Sequence, residues 1–307
     1  MSRKETARAM KKRFGSVWEW VIERIIQIAG VMAIILVLLI FGFLFRNSIP
    51  MLMERSVADL VAGQRWSPTA GEGHFGMLPL ILGSLYVTVG ALAISVPLGL
   101  ACSVFIAEVC PANLKELLKP AVEMLAAIPS VVYGFLGLLL IGPWLADVAG
   151  LPVGRFAALG SLILAFMAIP TIVSVSEDAL HNVPVSIRNS SLALGATRWQ
   201  TIVKAVLPAA RSGVIAAVLL GMGRAIGETM TVLMVTGNAP VIPEGLTGFL
   251  RPIRTMTATI AAEMGETEVD STHYFALFTI GLILFIITFV INTIADVVVR
   301  NASRMQS

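Results

Sequence analysis

Arg224 and Glu228 stand near the middle of an apolar stretch, Ser212 to Gly237, that is long enough to cross a bilayer. Placing one charged side chain at the centre of a spanning helix costs about 2.5–3.5 kcal/mol on insertion scales, so a pair of them points to a purpose beyond folding. A guanidinium presents a planar fork of donors that matches the oxygens of an oxyanion, and a low-dielectric path strengthens that attraction. In a continuous helix, residues three or four apart are neighbours, so Gly221, Arg224, Glu228 and Thr231 fall on one face and form the candidate lining of an anion pathway. Glu228, about 6 Å along the axis from Arg224, is expected to neutralise the arginine between transport cycles and yield it to an arriving anion, or to stay protonated and donate a hydrogen bond. The other reading is an ion pair that fixes helix register and never meets substrate. The order Arg before Glu is the less favourable one for a helical pair. Gly221, Gly223 and Gly227 leave room beside the charges, and that room also suits close helix packing.

A second patterned segment, residues 177–212, precedes this stretch. Pro184 suits the first turn of a helix through Ile187, Leu192 and Leu194, and Gly195 suits its left-handed close, with a turn at Ala196. Thr197 with Gln200 predicts a capping box that opens a second helix through Ile202, Val203 and Val206 and meets Leu207 and Pro208. The two short helices would show Asn189, Ser190 and Ser191 together with Arg188, Arg198 and Trp199 on their surface, which suits docking into a groove on a soluble partner. The plainer alternative is a helical hairpin packed on the ends of the membrane helices. A helix-turn-helix reader of nucleic acid is disfavoured, because membrane spans hold the segment at both ends and few cations lie across it.

The elements that must position these residues are membrane helices. The 307 residues are 57% hydrophobic and 13% charged, with a mean hydropathy of +0.87, whereas soluble domains carry about 25% charged residues. Apolar runs predict six spans near residues 22–45, 77–107, 117–142, 156–176, 213–236 and 273–298. The first run lacks a small-residue cleavage site and reads as a retained span rather than a signal peptide. Lys and Arg concentrate before the first span (Arg3, Lys4, Arg8, Lys11, Lys12, Arg13), in the second and fourth loops (Lys115, Lys119, Arg188, Arg198, Lys204, Arg211) and in the C-terminal tail (Arg300, Arg304). The positive-inside rule therefore puts both termini in the cytoplasm. The expected organisation is a tail over 1–21, a six-helix domain over 22–298 and a tail over 299–307.

Other features bound the chemistry. Cys102 lies within a span and Cys110 just after it, and His74, His181 and His273 are scattered, so neither a disulfide nor a metal or redox centre is expected. No Gly-x-x-x-x-Gly-Lys-Ser/Thr loop occurs, so this chain is not expected to be an ATPase, and no cofactor is expected in it. Pro97, Pro129 and Pro170 each interrupt a different span and can act as pivots. Glu123 is expected to snorkel or to cap a neighbour. The loop from Arg46 to Gly76 offers a docking surface to a delivery protein. The piece with Ile253, Met256, Ile260 and Met264 on one face suits either a gate over the pore mouth, with Arg251 and Arg254 drawing anions inward, or a helix lying on the lipid surface.

Asn189-Ser-Ser191-Leu-Ala-Leu-Gly195, followed by Ala205-Val-Leu207-Pro208, resembles the loop by which permease subunits of bacterial ABC importers engage their ATPases. That loop reads Glu-Ala-Ala, three residues, Gly, nine residues, Ile, one residue, Leu-Pro. The Gly and Leu-Pro keep their spacing, while Asn189, Ser190 and Ser191 replace Glu-Ala-Ala and Ala205 replaces Ile. Four blocks narrow the resemblance to PstC-type permeases of phosphate importers. They are Leu219 to Met230 followed by Gly237-Asn238, Leu78 to Leu100, Ala127-Ile-Pro129-Ser130-Val-Val-Tyr133-Gly134, and Glu263-Met-Gly265-Glu266, together covering about residues 70–298. The resemblance implies an all-α integral membrane protein with the type I ABC importer permease fold, in the bacterial inner membrane. It also implies a second homologous permease, two copies of a cytoplasmic ATPase that hold the ATP and Mg, an extracytoplasmic phosphate-binding protein, inorganic phosphate as cargo and membrane lipid as solvent. Import of another oxyanion (phosphonate, sulfate or molybdate), an ATP-independent carrier and a membrane sensor are the alternatives.

Overall fold

The structure, a computed structural model, describes residues 3–304 apart from residue 72, with side-chain surroundings from residue 19 to residue 300. The basic side chains at residues 3–13 and Arg304, which carry much of the expected orientation signal, lie outside the described side chains. Helix α1 (Arg3–Glu54) leads into α2 (Val57–Ala62) and a two-stranded hairpin, β1 (Trp66–Ser67) and β2 (His74–Phe75), whose antiparallel register pairs Trp66 with Phe75. Then come α3 (Leu78–Val104), α4 (Ala112–Ala126), α5 (Ser130–Leu136), α6 (Gly142–Ala149) and α7 (Ala157–His181). Short helices α8 (Val185–Ala193), α9 (Arg198–Thr201) and α10 (Leu207–Ala209) precede α11 (Arg211–Gly227), α12 (Met230–Val235), α13 (Met256–Glu263) and α14 (Thr272–Arg304).

Among the described residues, five helical stretches are long and apolar enough to cross a membrane: Glu19–Glu54, Leu78–Val109, Ser130–Ala149, Ala157–His181 and Thr272–Arg300. The bent pair Arg198–Ala209 and Arg211–Gly227, at 73°, supplies a sixth if counted as one span. Two expected spans are corrected. The run at 117–142 is not one helix, because Pro129 takes an extended conformation and separates α4, which buries none of its residues, from the spanning helix that starts at Ser130. The run at 213–236 is likewise divided, at Glu228. Pro97 and Pro170, by contrast, stay inside continuous helices.

The centre of the bundle is the α3–α7 pair with α11 against it. Ile172 of α7 is completely buried. A Cβ on Gly99 of α3 would come within 2.8 Å of its side chain, and one on Gly221 of α11 within 2.7 Å. These two glycines therefore let three helices close on one isoleucine, a small-residue interface of the kind membrane helices use in place of a hydrophobic driving force. A second apolar cluster, with Met51, Trp66, Leu80, Met256 and Leu277, joins the end of α1 and the hairpin to α3, α13 and α14.

Gly221→Val should overpack the Ile172 contact and destabilise the chain by about 1–3 kcal/mol. The check is thermal unfolding in detergent, where adding Ile172→Ala to the same chain should recover part of the loss.

Candidate functional site

The apolar stretch that holds the two charges is broken where the sequence reads as continuous. Helix α11 ends at Gly227, Glu228 is extended at φ −67° and ψ 132°, and α12 begins at Met230. Gly221, Arg224, Glu228 and Thr231 therefore do not share one helical face. Gly223 and Gly227 precede the break and β-branched Thr229 and Thr231 follow it, so helix propensity is low on both sides.

The break also separates the charges. Among the described residues no ion pair joins Arg224 to Glu228. Arg224 sits in the last turn of α11, where a cation complements the negative end of the helix dipole. Its guanidinium donates to Thr171 Oγ1 at 3.2 Å and reaches the Ala126 carbonyl at 3.5 Å, both neutral acceptors. Glu228 turns the other way, and its Oε1 accepts the Thr231 backbone N–H at 3.2 Å at the start of α12. Thr231 is fully buried and donates to the Ser130 carbonyl at 3.0 Å, which ties α12 to the spanning helix after Pro129. Thr257 Oγ1 donates to the Glu228 carbonyl at 2.8 Å.

Of the four residues the sequence singles out, Arg224 and Glu228 are partly exposed, while Gly221 and Thr231 are buried in packing contacts. Within this chain nothing lies within 4 Å of a Cβ built on Gly223 or Gly227, so those two glycines do not form a close helix contact here. Sequence reasoning missed Thr171, the Ala126 carbonyl and Ser130. Their only signal was proximity to Pro170 and Pro129, since a proline leaves a carbonyl unpaired or stops a helix beside it.

The segment over 177–212 follows its sequence pattern closely. Gly195 is left-handed at φ +84° and closes α8. Its N–H bonds the Leu192 carbonyl at 3.0 Å and the Ala196 N–H bonds the Ser191 carbonyl at 3.2 Å, the paired bonds of a Schellman close. The Thr197–Gln200 capping box is present, and Ser191 Oγ meets Thr201 Oγ1 at 3.0 Å. A π-helical turn, Ile202–Val206, comes just before Leu207 and Pro208. Asn189 and Ser190 are exposed, as are Leu194 at 89% and Trp199 at 66%. Arg188 differs from expectation. It points inward, pairing with Glu108 at the end of α3 at 2.7 Å and donating to the Leu180 and Val183 carbonyls at the end of α7. It therefore fastens the segment to two spanning helices instead of offering a surface charge.

A second fastening lies beside it. Glu177, 2% exposed, pairs with Lys115 at 2.6 Å and Lys119 at 2.7 Å, and Lys119 also meets Asp178 at 2.7 Å. Asp178 first and Glu177 second hold the Lys119 ammonium above its ordinary range. At the other end of the bundle, Arg254 pairs with Glu263, and the piece with Met256 and Ile260 is not a surface helix, because Met256 to Thr259 are all buried.

The family described as "Binding-protein-dependent transport system inner membrane component" matches residues 95–304. The chain belongs to that family. It is thus a multi-pass inner-membrane permease, the membrane part of an ABC importer that works with an ATPase and a substrate-binding protein. It is 41% identical over 234 residues to the probable ABC transporter permease protein YqgH of Bacillus subtilis, covering 76% of this chain and 75% of that protein. It is 36% identical over 256 residues to the phosphate transport system permease protein PstC of Mesorhizobium japonicum, covering 77% and 76%. Among solved structures, the MetNI methionine ABC transporter in an inward-facing conformation aligns at a TM-score of 0.57 and 21% identity, over 74% of this chain and 97% of that one. A bacterial ABC transporter that imports alginate aligns at 0.55 and 15%, over 73% and 79%. The fold is therefore that of type I ABC importer permeases.

Replacing Lys115 and Lys119 together by Met strands the Glu177 carboxylate, and removing the partners of a buried charge costs about 3–5 kcal/mol. Thermal unfolding should show this loss, and adding Glu177→Gln should recover most of it. Because the Lys119 pKa is raised, its contribution is complete below the ordinary lysine range and fades only at higher pH. The native ion pairs are therefore unchanged between pH 6 and pH 8, whereas a stranded buried carboxylate sheds its cost by taking a proton as pH falls, so the loss should be no larger at pH 6 than at pH 8.

Proposed function

We propose that this permease moves inorganic phosphate into the cytoplasm, with Arg224 and Glu228 facing the path of the anion. The observation that carries this reading is the state of Arg224: a permanent cation in the membrane stretch whose bonds, among the described residues, go to neutral oxygens. A guanidinium so placed keeps its charge available for an oxyanion, which can take up the donors now shared with Thr171 and the Ala126 carbonyl. Glu228 is engaged with the Thr231 N–H and does not neutralise Arg224 in this state. A swing of its carboxylate toward Arg224 after the anion leaves would restore neutrality, so the pair binds without trapping. Gly221 and Thr231 serve the path by holding the two helix ends in place. Phosphate is the cargo named for several relatives at 34–36% identity, from Mesorhizobium japonicum, Pasteurella multocida and Xylella fastidiosa.

The positive-inside distribution puts the end bearing α8 to α10 in the cytoplasm together with both termini. There the exposed Asn189, Ser190, Leu194 and Trp199 surface, shaped by Ser191, Gly195, Ala196, Thr197, Leu207 and Pro208, is the docking face for an ATPase. Arg188 and its bonds to α3 and α7 carry movement of that face into the bundle. A second, homologous permease across the pathway, two ATPase copies and an extracytoplasmic phosphate-binding protein complete the assembly. The lost Glu-Ala-Ala triplet leaves docking to shape, apolar contact and hydrogen bonds from Asn189 and Ser190.

Arg224→Gln in the complete reconstituted complex should lower ATP-driven uptake of labelled phosphate by a hundredfold or so, about the worth of one well-placed charged contact. Excess unlabelled phosphate, but not sulfate, molybdate or phosphonate, should suppress uptake by the native chain. Suppression by one of those anions instead would reassign the cargo, and uptake indifferent to the substitution would remove Arg224 from the path. Gly195→Val forces a β-branched residue into a left-handed position at a cost of roughly 1–2 kcal/mol. ATPase co-purification with this variant should fall, and normal recovery of a coupled ATPase would refute the docking face.

A further inference from the structure

Glu263 closes helix α13, and three separate parts of the chain converge on its carboxylate. Arg254, from the segment before the helix, reaches Oε1 at 2.5 Å. His273, in the first turn of α14, meets Oε2 at 2.8 Å. The Trp66 indole N–H, from the β1–β2 hairpin, is shared between the two oxygens at 3.3 and 3.2 Å. Glu263 and Arg254 are each 16% exposed and His273 18%, and Trp66 is buried edge-on between Phe75 and His273. A carboxylate at the C-terminal end of a helix opposes the helix dipole, so helix stability does not account for its position. The convergence of donors does: the carboxylate is the knot between the hairpin, α13 and α14.

The other end of α13 is fastened just as firmly, next to the break in the spanning helix. The Met256 N–H donates to Ser84 Oγ of α3 at 2.9 Å, and Thr257 Oγ1 donates to the Glu228 carbonyl at 2.8 Å. Met256 to Thr259 are buried between these two ends. A helix of this length spans about 12 Å. Close-packed and held at both ends, it shifts as a body, because packed interfaces switch between discrete arrangements and do not deform smoothly. Beside the knot, a cleft of about 570 Å³ lined by Ser67, Pro68, Thr69, Glu266 and Thr267 gives the hairpin room to move.

We propose that Glu263 is a positioning residue that makes α13 a strut: it locks the 66–75 hairpin to the helix, so that a displacement of the hairpin by a docked binding protein is delivered to the backbone at Glu228. This rests on the reading above that Glu228 borders the pathway and that the hairpin end is extracytoplasmic. Glu263 touches no cargo in this scheme.

The test uses the complete complex in lipid vesicles with its loaded binding protein, comparing native chain, Glu263→Gln, Trp66→Phe and the double substitution. Stimulation of ATP hydrolysis by saturating binding protein should fall by about tenfold in each single variant, within the usual range of coupling between sites. Basal hydrolysis and the binding-protein concentration for half-maximal effect should stay near native, while the loss of the partner of Arg254 and His273 lowers the melting temperature of Glu263→Gln. The double variant should be no worse than either single one, because both break the same link. Stimulation within about twofold of native in Glu263→Gln would overturn the proposal, and so would losses that multiply in the double variant. A parallel fall in basal hydrolysis would also overturn it, reducing Glu263 to a structural residue. An Arg224→Gln complex measured alongside reports on the pathway separately: uptake retained there defeats the pathway reading, whereas the Glu263 result is read from ATP hydrolysis.

Discussion

A backbone interrupted inside a membrane has no water to complete its hydrogen bonds, and this constraint organises the structure around Glu228. Each unsatisfied peptide group in hydrocarbon costs several kcal/mol, so a break survives only where other parts of the protein supply partners. Here the partners come from every side. Glu228 Oε1 takes the Thr231 N–H, Thr257 gives a hydroxyl to the Glu228 carbonyl, Thr229 Oγ1 donates to the Gly227 carbonyl at 3.3 Å, and Thr231 Oγ1 reaches the Ser130 carbonyl. The spanning helix after Pro129 and the strut α13 are therefore both tied to the interrupted segment by bonds at the interruption itself. Neither helix can move far without the other adjusting.

The same break resolves the electrostatic problem posed by two charges in an apolar run. In one continuous helix, Arg224 and Glu228 would be an internal pair in the less favourable order. Divided between two helices, the arginine lies at a C-terminal end and the glutamate at an N-terminal end, where each complements the local dipole. Both charges are thereby made tolerable without cancelling each other. A cation held by the weak field of a helix end and by two neutral oxygens is a better receiver for an oxyanion than one already committed to a carboxylate, because the competing interaction to be broken is smaller.

What was legible in the sequence was local. The capping box at Thr197 and Gln200 and the left-handed Gly195 are set by residues within one turn of each other, and both appear as the sequence predicts. The spanning runs were legible because the bilayer imposes length and apolarity. The failures share another cause. Continuous apolarity over 213–236 hid the break, since hydropathy reports solvent preference and is blind to whether the backbone is continuous. Arg188 was misread because its partners, Glu108, the Leu180 carbonyl of α7 and the Val183 carbonyl just beyond it, come together only when the helices meet. Gly221 was read as room beside a charge, yet what occupies that room is Ile172, far away in sequence. Of the two readings of the piece holding α13, the helix on the lipid surface fails because a short apolar face is the same pattern whether it meets lipid or protein.

The ion pairs among the described residues lie toward the two ends of the bundle, away from Arg224. At the end with the docking segment, Arg188 with Glu108 and Glu177 with its lysines bind that segment and α4 to α3 and α7; at the opposite end, Glu263 gathers Arg254, His273 and Trp66. Charges at these ends are matched and partly or wholly withdrawn from solvent, which makes each junction costly to open and therefore stiff. Between them, Arg224 has no carboxylate. On the proposed reading of Arg224 as an anion contact, this contrast is what an ATP-driven permease would use: loose ends would dissipate displacement by a partner before it reached the centre, and a centre as well paired as the ends would leave no charge free to meet a passing anion.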